Sequence, residues 1–537
     1  MSAPAPQTST SADIALAALE RELGPELVES DHERRVFFAT DMSRRGPDAL
    51  AVIRPRSVEE LVTAVTLCGR LGVSVIPRGG GFSYTGGYVP VNDKSVVVDL
   101  RAFNRVVEVN AEDMYVVVET GCTWHEMYQA LKAQGLRTPY FGPMSGHGAT
   151  VGGALSQGSF FLGSSQYGPV AESVLAVEVV LADGTVMRTG SWGSKEDVAP
   201  FFRSYGPDFT GLFLGDTGAL GFKTKAVLKL VPFPTHTQFG SFTFADETSA
   251  MAALSAIGRQ ALAAECYCWD PYFVGVMSAQ SASLGQDLRF LSGVARGQSG
   301  LRGITNAAKL AFAGKRVFDP SVFMLNVTMD DASAAGADGK LKIVRALARE
   351  HNGQEVTASA PMAMRGTPFI NFNTPERRQP RRNLPTHGIV PHSKLAALSR
   401  DIRALLASRH DEMVALGLEC GVVYFAVGVQ AVCMEPLLYL DDPQHFSHDR
   451  VQERSDVAAL GNFAEPPPAS KLATEIRKQL LDIFTRHCSV HVQIGKSYPW
   501  LETRDAPVAS LAHALKQHLD PASMVNPGSL GLGDEDH

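Results

Sequence analysis

The chain has 537 residues, 45% of them hydrophobic and 20% charged, with a net charge of −7 at pH 7. That length exceeds a single core and calls for several domain-sized units. The composition is that of a globular protein, and the acidic balance offers no electrostatic footprint for nucleic acid. The seven cysteines, at 68, 122, 266, 268, 420, 433 and 488, form no CxxC pair. They support neither a zinc ribbon nor a disulfide framework and fit a reducing, cytoplasmic setting.

The opening "MSAPAPQTSTSAD" lacks the basic start and apolar core of a signal peptide, so residues 1–29 are expected to be a disordered leader. No apolar run reaches the ~18 residues of a membrane span, and a soluble protein is expected. From residue 50 strands and helices alternate. "ALAVIRPRS" reads as a strand. "SVEELVTAVTLCGRLG" reads as an amphipathic helix with Ser57 as N-cap and Gly72 as stop. "VSVIP", "KSVVVDL", "NRVVEVN" and "MYVVVETG" follow as short strands, and "TWHEMYQALKAQG" as a second capped helix. "ESVLAVEVVLADGTVMRTG" is a hairpin around Ala-Asp-Gly, and "GALGFKTKAVLKLVP" closes an α+β unit over 30–235. Residues 236–460 carry longer helical stretches and strands such as "SVFMLNVTM" and "CGVVYFAVGVQ". After "NFAEPPPAS", a linker by composition, residues 461–537 hold a helix, "SVHVQIGKSYPWLETR" and "LDPASMVNPGSLGLG".

Two glycine-rich stretches carry the chemistry. In "VIPRGGGFSYTGGYVP" (75–90) five glycines follow a strand. Successive backbone N–H groups in such a turn form a nest for diphosphate oxygens, and the missing Cβ atoms permit close approach. It is not a Rossmann fingerprint, since GxGxxG fits neither this stretch nor "GATVGG", and there is no P-loop, because "VHVQIGKS" has Val490 where the first glycine belongs. In "GPMSGHGATVGGALSQGSFFLGSSQYG" (142–168) small uncharged residues offer a surface for a flat ring and its polar tail.

In their order, "PRGGGFSYTGG", "VVVDLRAFNRVVEVN", "YVVVETGCTWHEMYQAL", "GATVGGALSQG", "VEVVLADGTVMRTG", "GDTGALGFKTKAVLKLVP", "GIVPHS" and "LDPASMVNPGSLG" resemble the FAD-binding PCMH-type flavoproteins of the vanillyl-alcohol oxidase/p-cresol methylhydroxylase superfamily. The resemblance runs over about residues 40–535. It implies a two-subdomain FAD domain (30–235), an α+β cap over the flavin (236–460) and a C-terminal segment returning to the FAD domain. It also implies that Arg78, Gly79, Gly80, Gly81, Phe82, Ser83 and Tyr84 surround the FAD pyrophosphate. Pro143, Thr150, Gly152, Gly153, Gly158, Tyr167 and Gly168 would line the ring and ribityl side, Gly218 and Gly221 the adenosine end, and Asn526 would approach from the C-terminal segment.

Departures from the family pattern shape the expected chemistry. Phe82 stands where many relatives link a histidine to flavin, and Cys433 and Met434 stand at the alternative cap-domain anchor, so FAD is expected to be non-covalent. Met144 replaces an aspartate of the phenol oxidisers. The metal signature of the 2-hydroxy-acid branch is not intact, His445 and His448 standing alone, and no metal is expected. "HVQIGKSYPW" reads either as a half-exposed strand or as a catalytic stretch, with His491 as base and Lys496 and Tyr498 stabilising an oxyanion; Gln493 lies between them.

The expectation is an FAD-linked oxidase or dehydrogenase that oxidises a small aromatic alcohol. A 2-hydroxy acid substrate, or a flavin subunit of an electron-transfer complex, is the alternative. The electron acceptor (a protein or O2), a homo-oligomer, and a membrane-surface contact through 290–316 stay open. "ERRQPRR" (376–382) reads as a solvated loop or an anion-attracting rim.

Overall fold

The computed structural model describes residues 11–276, 321–370, 382–441 and 467–533. The 290–316 stretch, His445, His448, most of "ERRQPRR" and the start of the proline-rich linker lie outside the described residues.

The N-terminal unit contains two sheets. The first has the order β1 (Val28–Glu29), β2 (Ala51–Ile53), β4 (Ser95–Asp99), β3 (Ser74–Arg78), with β2 and β3 both parallel to β4. β4 is buried along its whole length, which is why a near-continuous valine run suits it. The helix Val58–Leu71 crosses between β2 and β3. Ser57 caps it by accepting from Glu60 N–H, and Gly72 ends it in the left-handed region. The second sheet is antiparallel, in the order β5 (Val106–Asn110), β6 (Tyr115–Glu119), β10 (Phe222–Lys229), β8 (Val174–Val180), β9 (Val186–Arg188). A small ladder joins β7 (Leu136–Arg137) to β11 (Val231–Pro232). The helix Trp124–Lys132 starts with a reciprocal capping box between Thr123 and Glu126.

The third unit is one antiparallel sheet. It comprises β12 (His236–Phe244), β13 (Glu265–Trp269), β14 (Phe323–Asp331), β15 (Gln354–Val356), β16 (Arg382–Pro385), β17 (Gly388–Pro391), β18 (Glu419–Val427) and β19 (Ala431–Leu440). Its order is β15-β12-β14-β13-β18-β19-β16, with β17 also on β19. Helices cover one face. There Val432, Met434, Leu438 and Leu440 of β19 join Leu325, Val422 and Leu480 in a continuous core. The alternate residues face the N-terminal unit, so Cys433 packs with Phe160 and Val492.

Two boundaries differ from expectation. Residues 11–23 are not a loose leader: Ser11–Leu23 is a helix whose Ala15, Leu19 and Leu23 are buried against Leu61 and Val65. The helix Pro468–Arg486 does not return to the N-terminal unit. Its Ala469, Leu472, Ile476, Leu480 and Phe484 belong to the cap core, and the return begins after it, where Val525 bridges Val75. No helix among the described residues is long and apolar enough to cross a membrane.

Candidate functional site

A cleft of about 940 Å³ between atoms, counting its open mouth, separates the two N-terminal sheets. The turn after β3 forms one wall, and the start of the helix Val151–Gln157 forms another. Of the seventeen residues expected at the cofactor, twelve line it: Arg78, Gly79, Gly80, Gly81, Phe82, Ser83, Pro143, Thr150, Gly152, Gly153, Gly218 and Gly221. Gly80 is required by a close approach, since a Cβ there would run into the Gly148 carbonyl oxygen. Gly218 sits at φ +73°, with Pro77 where its side chain would go.

The other five lie outside the lining. Gly158 is the left-handed C-cap of the helix Val151–Gln157. Gly168 caps Ser164–Tyr167, and Tyr167 lies 5.9 Å from the Arg137 guanidinium carbon. Asn526 braces the wall from behind, donating through Nδ2 to the Gly87 and Thr217 carbonyls at 2.7 Å each. Tyr84 turns toward the cap, within hydrogen-bonding reach of Asn383 and beside Glu435. Lining residues not expected at the cofactor include Gln157, Thr217 and Lys223, and Gln493 of the stretch read as catalytic lines it too. Lys223 was findable as the first cation in an otherwise small-residue motif, "GDTGALGFK". Its Nζ bonds Asp216 Oδ1 at 2.7 Å with both side chains buried.

The donor set fits FAD. The N–H groups of Gly80 and Ser83 meet no acceptor among the described residues, as a turn built for phosphate oxygens requires. Gln157 Oε1, in the lining, is likewise buried without a described partner, and it suits the polar hydrogens of a ribityl or ribose chain.

The stretch 489–498 is a loop, not a strand: Val490 makes one bridge to Ile389 and Gln493 sits at φ +50°. It brings His491 and Tyr498 together, with rings stacked 4.3 Å apart. It does not bring Lys496 to them. That ammonium donates to Val89 O at 2.7 Å and Asn526 Oδ1 at 3.0 Å, so its expected role as an oxyanion stabiliser is corrected to a strap between segments.

His387, just after β16, completes the cluster. Val492 N–H donates to its Nε2 at 3.1 Å, so that nitrogen carries no proton and Nδ1–H faces Tyr498 Oη at 3.1 Å. The His387 N–H also donates to Tyr498 Oη, at 3.0 Å, which leaves the phenolic proton for a further partner. Burial lowers His387 to about 3. It also lowers His491 to about 4, against the opposing pull of the His387 carbonyl 2.7 Å from Nδ1. Both rings are neutral at pH 7. Phe160 and Phe161 meet Phe425 of β18 edge-on at 5.7 and 5.4 Å, closing an aromatic wall between cap and N-terminal unit.

Residues 49–190 match the FAD binding domain family. By structure the chain is similar to p-cresol methylhydroxylase (TM-score 0.69, 18% identity, 98% of each chain covered). It is also similar to 4-ethylphenol oxidase from Gulosibacter chungangensis (TM-score 0.69, 16% identity, 99% of each). The whole chain thus shares the fold of those two proteins, with an FAD binding domain over residues 49–190. By sequence it is 35% identical over 214 residues to the glycolate oxidase subunit GlcD of Bacillus subtilis, covering 39% of this chain and 43% of that one. It is 32% identical over 186 residues to the mitochondrial D-lactate dehydrogenase (cytochrome) of Arabidopsis thaliana, covering 35% and 31%. The match spans less than half the length of either curated relative. The N-terminal unit, which contains the matched residues 49–190, is called the FAD domain below, and the third unit, packed against it, the cap.

Proposed function

We propose that the protein is an FAD-dependent oxidoreductase that oxidises a small neutral alcohol with an aromatic body. Bound FAD would supply the two-electron acceptor, held by the turn 78–83, Thr150–Gly153 and Thr217–Gly221. The chain's own contribution is to seat the substrate against the Phe160–Phe425 wall and to donate the Tyr498 proton to its oxygen. His387 fixes that phenol, and the cap excludes water. The observation carrying this reading is the position of Lys496. The cation that would have held a substrate carboxylate is engaged by Val89 and Asn526, while the wall facing the cap is aromatic.

Oxidation of a 2-hydroxy acid is the second reading. It is favoured by what the two curated relatives are named for, and by Arg477, whose buried Nε has no described partner. FAD is held without a covalent link in this proposal. Phe82 cannot bond flavin, and burial raises the Cys433 thiol well above its ordinary range, so it stays protonated. Anaerobic mixing of the flavin-loaded protein with 4-hydroxybenzyl alcohol, D-lactate and glycolate tests the choice. Bleaching by the benzylic alcohol is expected, and bleaching by the hydroxy acids alone would overturn it.

A further inference from the structure

Glu435 lies in the middle of β19, opposite Val423 of β18. Strand alternation puts it on the same face as Cys433, the face that packs on Phe160 and Val492 of the FAD-domain side. Four groups feel its charge: Tyr84 from the glycine turn, Tyr498 from the C-terminal loop, and Cys433 and Tyr439 from its own strand. Asn383 of β16, which pairs with Tyr439, reaches Tyr84 from the far side. A carboxyl in this position would ordinarily be paired or hydrogen-bonded. Its carboxyl has no hydrogen bond or ion pair among the described residues, although the residue keeps some accessible surface of its own. A carboxyl at this seam, beside the phenols of Tyr84 and Tyr498 and with no partner of its own, is left to meet a ligand.

The geometry points to Glu435 as the proton acceptor of the substrate space, a catalytic base for the hydroxyl of a neutral alcohol. This rests on the alcohol-oxidising reading above. In the step, the substrate O–H bond breaks and its proton goes to a Glu435 carboxylate oxygen. Bound FAD would be the acceptor for the carbon's hydrogen and its bonding pair as the C=O bond forms, and Glu435 returns its proton to solvent before the next turnover. Burial alone pushes the Glu435 carboxyl up to about 7, near the operating pH of an effective general base, whereas His491 is held at about 4. The groups facing Glu435 do not titrate with it, because burial raises Tyr84, Tyr439, Tyr498 and Cys433. Arg477, on the helix Pro468–Arg486, donates to the Tyr84 carbonyl and acts on Tyr498 rather than on Glu435. An unpaired carboxylate also disfavours an anionic substrate at this position.

The test uses the flavin-loaded full chain, wild type and Glu435→Gln, mixed anaerobically with 4-hydroxybenzyl alcohol across pH 5 to 9. Wild-type flavin bleaching should accelerate as pH rises through about 7. The variant should lose roughly 10²–10⁴-fold in rate together with that pH limb, and Glu435→Asp should recover part of both. A variant within threefold of wild type, with the limb intact, overturns the base while sparing the alcohol reading. Bleaching by D-lactate but not by the alcohol overturns the reading itself. Thermal melts give a readout free of turnover. The folded-state carboxyl lies above its unfolded value of 4.5, so wild-type stability is lost as pH rises toward 7. The melting-temperature advantage of Glu435→Gln should therefore be larger at pH 8.5 than at pH 5. An equal difference at both pH values means a solvated carboxyl and overturns the proposal.

Discussion

Arg137 of the FAD domain donates through Nη2 to Asp330 Oδ2 of the cap at 3.0 Å, and neither side chain is more than 5% exposed. Asp330 also takes Arg365 Nη1 at 2.9 Å, while Arg365 Nη2 reaches Glu265 at 2.6 Å. Glu265 in turn accepts the Gly163 N–H of the FAD domain at 3.2 Å. Burial pushes the Asp330 carboxyl up, but the charges of Arg365 and Arg137 outweigh it and hold it below the usual range. This quartet is a buried polar tie between the FAD domain and the cap.

Removing the shared member of that quartet should hurt most. Asp330→Ala leaves two guanidiniums buried near each other and should destabilise by about 3–5 kcal/mol. Arg137→Met leaves Asp330 still paired with Arg365 and should cost less. Urea unfolding of the three proteins measures both values. A cost under about 1 kcal/mol for Asp330→Ala would show the quartet to be solvated.

What the sequence made legible was local. Ser57 and Gly72, and the Thr123–Glu126 box, mark helix ends within a few residues of themselves, and the glycine turn announces its own close approach. What it hid was assembled from afar. His387, Glu435 and Tyr498 meet because β16 and β19 pair in one register, and a one-residue slip would turn Glu435 into the cap core. The helix Pro468–Arg486 was assigned to the wrong unit because an apolar stripe shows that a helix packs without naming its partner. Lys496 carries a charge that suits an anion, but only the fold shows the carbonyl that takes it.

The glycine turn should be intolerant of a single methyl. Gly80→Ala places a Cβ against the Gly148 carbonyl, so one of the two loops must move and cofactor retention should fall sharply. Gly80→Asp adds a like charge beside the diphosphate and should abolish binding. Gly339→Ala serves as control, since nothing lies within 4 Å of its added Cβ in the helix Ala334–Glu350. Flavin absorbance per chain after gel filtration reads the outcome, and full occupancy in Gly80→Asp would misplace the phosphate site.

Lys496→Met should behave as a structural lesion rather than a substrate-binding one. Losing the ammonium frees Val89 O and Asn526 Oδ1, and Asn526 holds the Gly87 and Thr217 carbonyls of the cleft wall. Flavin should dissociate more readily, while KM for any oxidised alcohol changes little once FAD is saturating. A variant with normal flavin affinity and a KM raised only for carboxylate substrates would restore the anion-binding role.

Acid precipitation should leave the flavin in the supernatant, because neither Phe82 nor the protonated Cys433 offers a bond to it. Flavin fluorescence that migrates with the chain on a denaturing gel would contradict this.

The buried imidazole of His387 should make the protein acid-labile in a defined window. Its folded-state value is about 3, lowered first by burial and then by His491, against an ordinary value of 6.5. Between those values the unfolded chain binds a proton that the folded chain refuses, so stability is present above about 6.5 and is lost as pH falls toward 3. At 1.36 kcal/mol per unit this one group contributes on the order of 5 kcal/mol to the acid loss. The folded state cannot ease the loss locally, because Nε2 would have to surrender the Val492 N–H to accept the proton. His387→Asn should therefore be less stable than wild type at pH 7, having lost the bonds to Tyr498 and Val492, yet show a shallower fall between pH 6.5 and pH 4. Unfolding free energies from urea titrations across that range give the two slopes. Parallel slopes would mean that His387 is protonated in the folded protein, and would undo the assignment of Tyr498 as a free proton donor.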